Sequence, residues 1–146
     1  MNKVILSPAI KKIRRQAKHA FYFFFPARQV LVVGNGSLFD EGIVNLLDGT
    51  AGLDVLHHSY SDHIAMLSEV EKYQPGIVVL ISSKALNIEL VLHRYLHELT
   101  ALTSRLVVVN QDDCQVKIYE TERATRQLKS SQFTLNTSQD FFLAMQ

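Results

Sequence analysis

A chain of 146 residues with 47% apolar and 20% charged side chains has the size and balance of one globular domain. Val, Ile, Leu and Phe are too plentiful for whole-chain disorder. Cys114 stands alone, which excludes an internal disulfide and a four-thiolate zinc site and favours a reducing compartment.

No apolar run approaches the roughly 20 residues of a membrane-spanning helix. The short stretch Phe21–Phe25, closed by Pro26, does not make a secretory signal. The net charge of +1 conceals an uneven distribution. Residues 1–28 carry Lys3, Lys11, Lys12, Arg14, Arg15, Lys18 and Arg28 with no acidic residue, for +7. The other 118 residues hold 8 basic and 14 acidic side chains, for −6. A basic N-terminal extension (1–28) on an acidic body (29–146) bears on association rather than on fold.

Between Pro8 and Phe25, the residues Ile10, Ile13, Ala17, Ala20, Phe21 and Phe24 share one helical face, with Lys11, Lys12, Arg14, Arg15 and Lys18 largely on the other. That amphipathic pattern fits packing on the body or on a second subunit, a membrane surface or partner protein, and, less favoured, nucleic acid through its phosphates.

From Gln29 the pattern alternates. Gln29–Gly34 (QVLVVG) is an apolar run closed by glycine, as in a strand buried on both faces. Residues 37–47 form a helix capped by Ser37, and Leu53–His57 a second strand. A helix capped by Ser61 or Asp62 runs through Lys72, and Pro75-Gly76 breaks the chain before the strand Ile77–Ser82 (IVVLIS). Asn87–Leu102 is strongly helical, and Arg105–Asn110 (RLVVVN) is a fourth buried strand. Beyond Asn110, Gln115–Glu120 and Ala124–Lys129 pair as a hairpin or, alternatively, give a short helix and a strand. Phe133–Leu135 is a candidate last strand, and Thr137 or Ser138 caps a closing helix through Met145.

Strand–helix alternation predicts a parallel sheet covered on both faces, with ligands outside the carboxyl ends of the strands. The residues placed there are Gly34, Asn35 and Gly36, then Ser82 and Ser83, then Asn110 and Gln111.

The stretch VLVVGNGSLFDEGIVNLLDG resembles the opening of a bacterial response-regulator receiver domain, in the branch that usually carries a helix-turn-helix output. Leu38, Phe39, Glu41 and Gly42 match the LF-x-EG core of that branch. YQPGIVVLIS (Tyr73–Ser82) and RLVVVN resemble two later strands of the family, so the similarity covers about residues 29–110. It implies a receiver-like (flavodoxin-like) three-layer α/β sandwich with about five parallel strands, to which the hairpin alternative for Gln115–Lys129 would add an antiparallel edge.

The family's chemistry needs an acidic pair for magnesium, a phospho-accepting aspartate, a Thr or Ser switch and a lysine. Here the acidic pair falls on Gly34 and Asn35, the acceptor on Ile81 and the switch on Asn110. The lysine position falls on Asn136, with Lys129 as the other alignment. The resemblance therefore implies a pseudo-receiver that is not phosphorylated by the family mechanism, and no DNA-binding output is expected from these residues.

Two other signals are weaker. Gly34-x-Gly36 resembles a dinucleotide fingerprint, but Phe39 occupies its third glycine position and a tight turn is the simpler reading. His93 and His97 lie four apart on one helix, but Arg94 stands where a zincin needs glutamate. With His57, His58 and His63 they read as ordinary solvated or half-buried histidines.

The expectation is a non-enzymatic regulatory or protein-interaction module with no cofactor, no metal and no small-molecule substrate. Its partners are other proteins, or a second copy in a dimer. It is placed in the cytoplasm or at a membrane surface reached through residues 8–25. The alternatives are a nucleotide- or metal-binding protein using the Gly34–Ser37 loop, and a nucleic-acid-associated regulator using the basic arm.

Overall fold

Five apolar residues and one serine make up Ile77–Ser82, and such a run is stable only where both of its faces are covered. In the computed structural model, which describes residues 28–122 and 124–145, this run is β3, buried at every position. The other elements are β1 (Arg28–Gly34), α1 (Leu38–Asp48), β2 (Leu53–Ser59), α2 (His63–Tyr73), α3 (Ile88–Leu102), β4 (Arg105–Asn110), β5 (Gln115–Thr121), β6 (Leu128–Thr134) and α4 (Ser138–Met145). They form one α/β unit around a six-stranded sheet of order β2-β1-β3-β4-β5-β6.

The two-residue period of the strands sorts their side chains between two cores. Val30, Val32, Ile77, Val79, Ile81, Val107 and Val109 pack with Ile43 and Leu47 of α1 and Phe141, Ala144 and Met145 of α4. Leu31, Val33, Val78, Leu80, Leu106 and Val108 face the other way, against Met66 and Val70 of α2 and Ile88, Leu92 and Leu99 of α3. The result is three layers, helix–sheet–helix. The His63 ring stacks on Tyr95 at 4.7 Å and ties α2 to α3.

Local chemistry sets the helix ends. Ser37 Oγ accepts from Asp40 N–H to cap α1, and Asp62, the second of the two expected candidates, accepts from Ala65 N–H at 2.8 Å to cap α2. Gln74 takes a left-handed φ of 45° to end α2, and Pro75 follows where no helix could continue. Thr137 and Asp140 cap α4 reciprocally: Asp140 N–H donates to Thr137 Oγ1, and Thr137 N–H donates to Asp140 Oδ2.

Four strands, not five, pair in parallel: β2, β1, β3 and β4. After Asn110 the strand–helix alternation stops, because four residues separate β4 from β5 and cannot hold a crossover helix. β5 therefore returns antiparallel beside β4, and β6 returns antiparallel beside β5. The expected edge hairpin is present, but its second strand is Leu128–Thr134 rather than Ala124–Lys129. The link is closed by Glu122 N–H to Gln127 O and Arg126 N–H to Glu122 O, with Arg126 at φ 54°. This register sets Phe133 beside Val116 over the α1/α4 core, so the expected last strand merges into β6. β6 runs in the direction of β1–β4, separated from them by β5.

Two arginines hold the end of α4. Arg28 Nη1 donates to Met145 O at 3.0 Å, and Arg105 Nη1 donates to Ala144 O at 2.9 Å. Both satisfy terminal carbonyls at the negative end of the helix dipole. Arg105 also reaches Glu120 Oε2 at 3.2 Å, joining β4, β5 and α4. Arg105→Ala is expected to lower the unfolding free energy by about 1–3 kcal/mol, read as a shift of the urea midpoint without a change of slope.

Candidate functional site

In a largely parallel sheet the loops after the strands converge at the carboxyl edge, where binding chemistry is normally found. Here Gly34–Ser37, Ser82–Lys84 and Asn110–Asp113 meet there. The structure thus brings Gly34, Asn35, Ile81 and Asn110 to the ends of β1, β3 and β4.

Their side chains do not form an acidic pocket. Asn35 Nδ2 donates to Gln111 Oε1 at 2.8 Å, and Ser37 Oγ lies 3.1 Å from the same oxygen. Gln111 is itself anchored by its N–H to Ser82 O at 2.9 Å. One glutamine thus spans the mouth between β4 and the β1–α1 loop.

The neighbouring polar groups are engaged in the same local way. Ser82 Oγ accepts from Ile88 N–H and starts α3, a role Asn87 does not fill with its own side chain. Ser83 Oγ accepts from Leu86 N–H. Asp112 accepts from Lys84 N–H at 2.7 Å and donates its own N–H to Asn110 Oδ1 at 2.9 Å.

Ile81 is fully buried among Val79, Val109 and the α1/α4 core, so its side chain does not reach the mouth. Asn136 is exposed, and its N–H donates to Asp140 Oδ2 at the start of α4. Lys129, the other alignment for the lysine, pairs with Glu122 Oε2 at 3.2 Å near the opposite edge of the sheet. The arm residues Lys11, Lys12, Arg14, Arg15, Lys18, Phe21 and Phe24 lie outside the described residues.

The Gly34–Ser37 loop turns sharply at Gly36, whose φ is 78°. Its amides point inward: Gly36 N–H donates to Asp40 Oδ2 and Ser37 N–H to Asn35 Oδ1. A phosphate at this helix start would have to displace both acceptors.

Asp40 is the residue that sequence reasoning overlooked. It lies on α1, is 0% exposed, and directs its carboxylate under the end of β1. His57 Nε2 of β2 contacts Asp40 Oδ2 at 2.9 Å, while Asp40 Oδ1 is buried with no hydrogen-bond partner. A Cβ added at Gly34 would land on this carboxylate. Glycine at 34 therefore leaves the space that the Asp40 carboxylate fills, a relation that neither residue announces alone.

His57 also opens, beside Glu41, Val44 and Asn45, on a small depression of about 230 Å³. Just past the end of β2, Tyr60 donates its N–H to Gly34 O, and its phenol is pushed above the ordinary tyrosine range by burial and then by Asp62 and Tyr95. Because these causes penalise the phenolate, the fold is unaffected by Tyr60 ionisation below the unfolded-state value of about 10 and loses stability as pH rises through the raised folded value.

Among the described residues no three His, Cys, Asp or Glu side chains gather as a metal site, and His93 and His97 are exposed on α3. No helix of the described residues is long and apolar enough to cross a membrane. A second, wider depression among the described residues, about 490 Å³, is an open trough at the amino edge beside Pro75, Gly76, Thr103, Ser104, Glu122 and Arg126. It contains none of the expected site residues.

No family model and no curated protein matches the chain. Among solved structures, ThrRS-1 of Aeropyrum pernix, described as a threonyl-tRNA synthetase, aligns at 9% identity with a TM-score of 0.37. The match covers 91% of this chain and 26% of that one, a likeness too low to bear on fold or function.

The coupling between positions 34 and 40 is testable by a double-mutant cycle. Gly34→Ala should cost about 1–3 kcal/mol by overpacking against Asp40, and Asp40→Ala about 2–4 kcal/mol by unpairing His57 and Gly36. In the double variant the new methyl group occupies the vacated space. The combined loss should fall short of the sum by about 1 kcal/mol or more, as measured by urea unfolding.

Proposed function

We propose that this chain is a non-enzymatic regulatory module, a receiver-like body that binds other proteins and does not undergo phosphoryl switching. The observation that carries the reading is the closed carboxyl edge: Gln111 bridges to Asn35 and Ser37, while the acceptor position is an isoleucine buried in the core. Phosphoryl transfer needs clustered carboxylates for a hard cation and an accessible nucleophile. Asp40, the one carboxylate drawn beneath the β1 end, is wholly buried and engaged with His57 and Gly36 N–H. With its polar groups bonded to one another, this edge supports a preformed surface better than a reaction centre.

The nucleotide reading of the Gly34–Ser37 loop is disfavoured by the same hydrogen bonds. The test is an amide-resolved NMR titration with magnesium and acetyl phosphate, followed by intact-mass measurement. The expected result is no perturbation centred on Asn35, Ser82 and Gln111 and no added phosphoryl group. A magnesium-dependent response at those amides together with a stable phosphoryl adduct would overturn the proposal.

A further inference from the structure

Every sheet that does not close must do something with its edges, because an edge strand presents unpaired N–H and C=O groups. At one edge, β2 packs one of its faces against α1. At the other edge no helix of the described residues packs on β6 to a comparable extent: it pairs with β5, and six of its seven residues are exposed, Phe133 alone being half-buried. β6 contains no proline and one charge, Lys129, which is already paired with Glu122.

The phase of the β5–β6 ladder shows which groups are free to pair. Leu135 N–H donates to Cys114 O at one end of the hairpin, and Glu122 N–H donates to Gln127 O at the other. Both belong to hydrogen-bonded pairs of a single antiparallel register, so Val116/Phe133, Ile118/Ser131 and Glu120/Lys129 are the bonded pairs between them. The backbone groups of Leu128, Ser130, Gln132 and Thr134 consequently point away from β5.

We propose that β6 is a self-association edge, which pairs antiparallel with β6 of a second copy about a two-fold axis at Ser131. This inference does not rest on the receiver-like reading. An isologous contact must be self-complementary, and this one is. A two-fold at Ser131 sets Leu128 opposite the partner's Thr134 and Ser130 opposite the partner's Gln132, so outward-pointing backbone meets outward-pointing backbone along the whole strand. No like charges face each other. On the α1/α4 side, Lys129 lies opposite the partner's Phe133, where its aliphatic stem and ammonium can cover an aromatic face otherwise half exposed. The product is a continuous sheet through both copies. Its contact is narrow compared with the roughly 1,200–2,000 Å² of a standard interface, so the dimer is expected to be weak and concentration-dependent.

Sedimentation velocity of the full chain over a micromolar-to-millimolar range tests this. The expected result is a reversible monomer–dimer equilibrium. Ser130→Pro and Gln132→Pro each delete an outward N–H without touching the β5 ladder, and each should weaken the dimer by about tenfold or more, with urea midpoints tracking the unaltered monomer. The register has its own test that does not depend on proline. S130K/Q132K sets lysine opposite lysine and should abolish the dimer, whereas S130K/Q132E sets lysine opposite glutamate and should restore it. A chain that is monomeric throughout the range overturns the proposal. So does a dimer indifferent to these substitutions, or one lost equally in the two charge variants.

Discussion

The constraint on which the rest of the structure depends is the complete burial of β3 on both faces. Val78 and Leu80 need apolar partners on one side of the sheet; Ile77, Val79 and Ile81 need them on the other. That demand puts α2 and α3 on one face and α1 and α4 on the other, and it fixes register, since a one-residue slip would exchange the two sets. Its reach extends to the carboxyl edge. With Ile81 committed to the α1/α4 core, the end of β3 offers the mouth only serines, and both serine hydroxyls are used in shaping the entry to α3. The chemistry of the edge is thus partly decided by packing beneath it.

Asp40 shows the same logic in electrostatic form. An ionised carboxylate removed from water is costly unless it is paired and hydrogen-bonded. Two partners meet Oδ2, His57 from β2 and Gly36 N–H from the loop, while Oδ1 has none. Such an arrangement is more intelligible as a device for fixing the β1–α1 loop against β2 than as a source of stability, since buried pairs often do little better than apolar replacements. The space it needs exists because position 34 has no side chain. A residue whose absence of bulk matters and a residue whose charge is hidden form one structural unit, six positions apart in the chain.

How much of this was legible beforehand follows from which interactions are local. The strands Ile77–Ser82 and Arg105–Asn110 and the caps at Ser37 and Thr137 are written in short stretches, and the structure has them where periodicity and capping chemistry put them. The carboxyl-edge loops were also legible, because a parallel sheet dictates where they go. What could not be read were relations between distant residues. Gln111 reaches Asn35 across 76 positions and His57 reaches Asp40 across 17, and no spacing rule announces either pair. The second hairpin strand was displaced because Ala124–Lys129 has acceptable strand composition. Its true register is selected by Phe133 meeting Val116 over the core, a tertiary preference that outweighs local propensity.

The replacement of a crossover by a hairpin also changes the character of the sheet from one side to the other. Around β1, β3 and β4 each strand is sealed by helices and its backbone is fully committed. Beyond β4 the alternation of Gln115, Lys117 and Tyr119 with Val116 and Ile118 leaves one face of β5 buried and the other partly wet. By β6 only Phe133 still belongs to a core. Apolar burial declines across three neighbouring strands while the backbone's capacity to pair does not, because each N–H and C=O retains the same need whatever its side chain. The interior of this protein is therefore specified by side-chain packing, and its open edge by main-chain hydrogen bonding. Specificity there has to come from register, with Lys129 and Phe133 the only side chains on that strand large enough to impose one on the α1/α4 face.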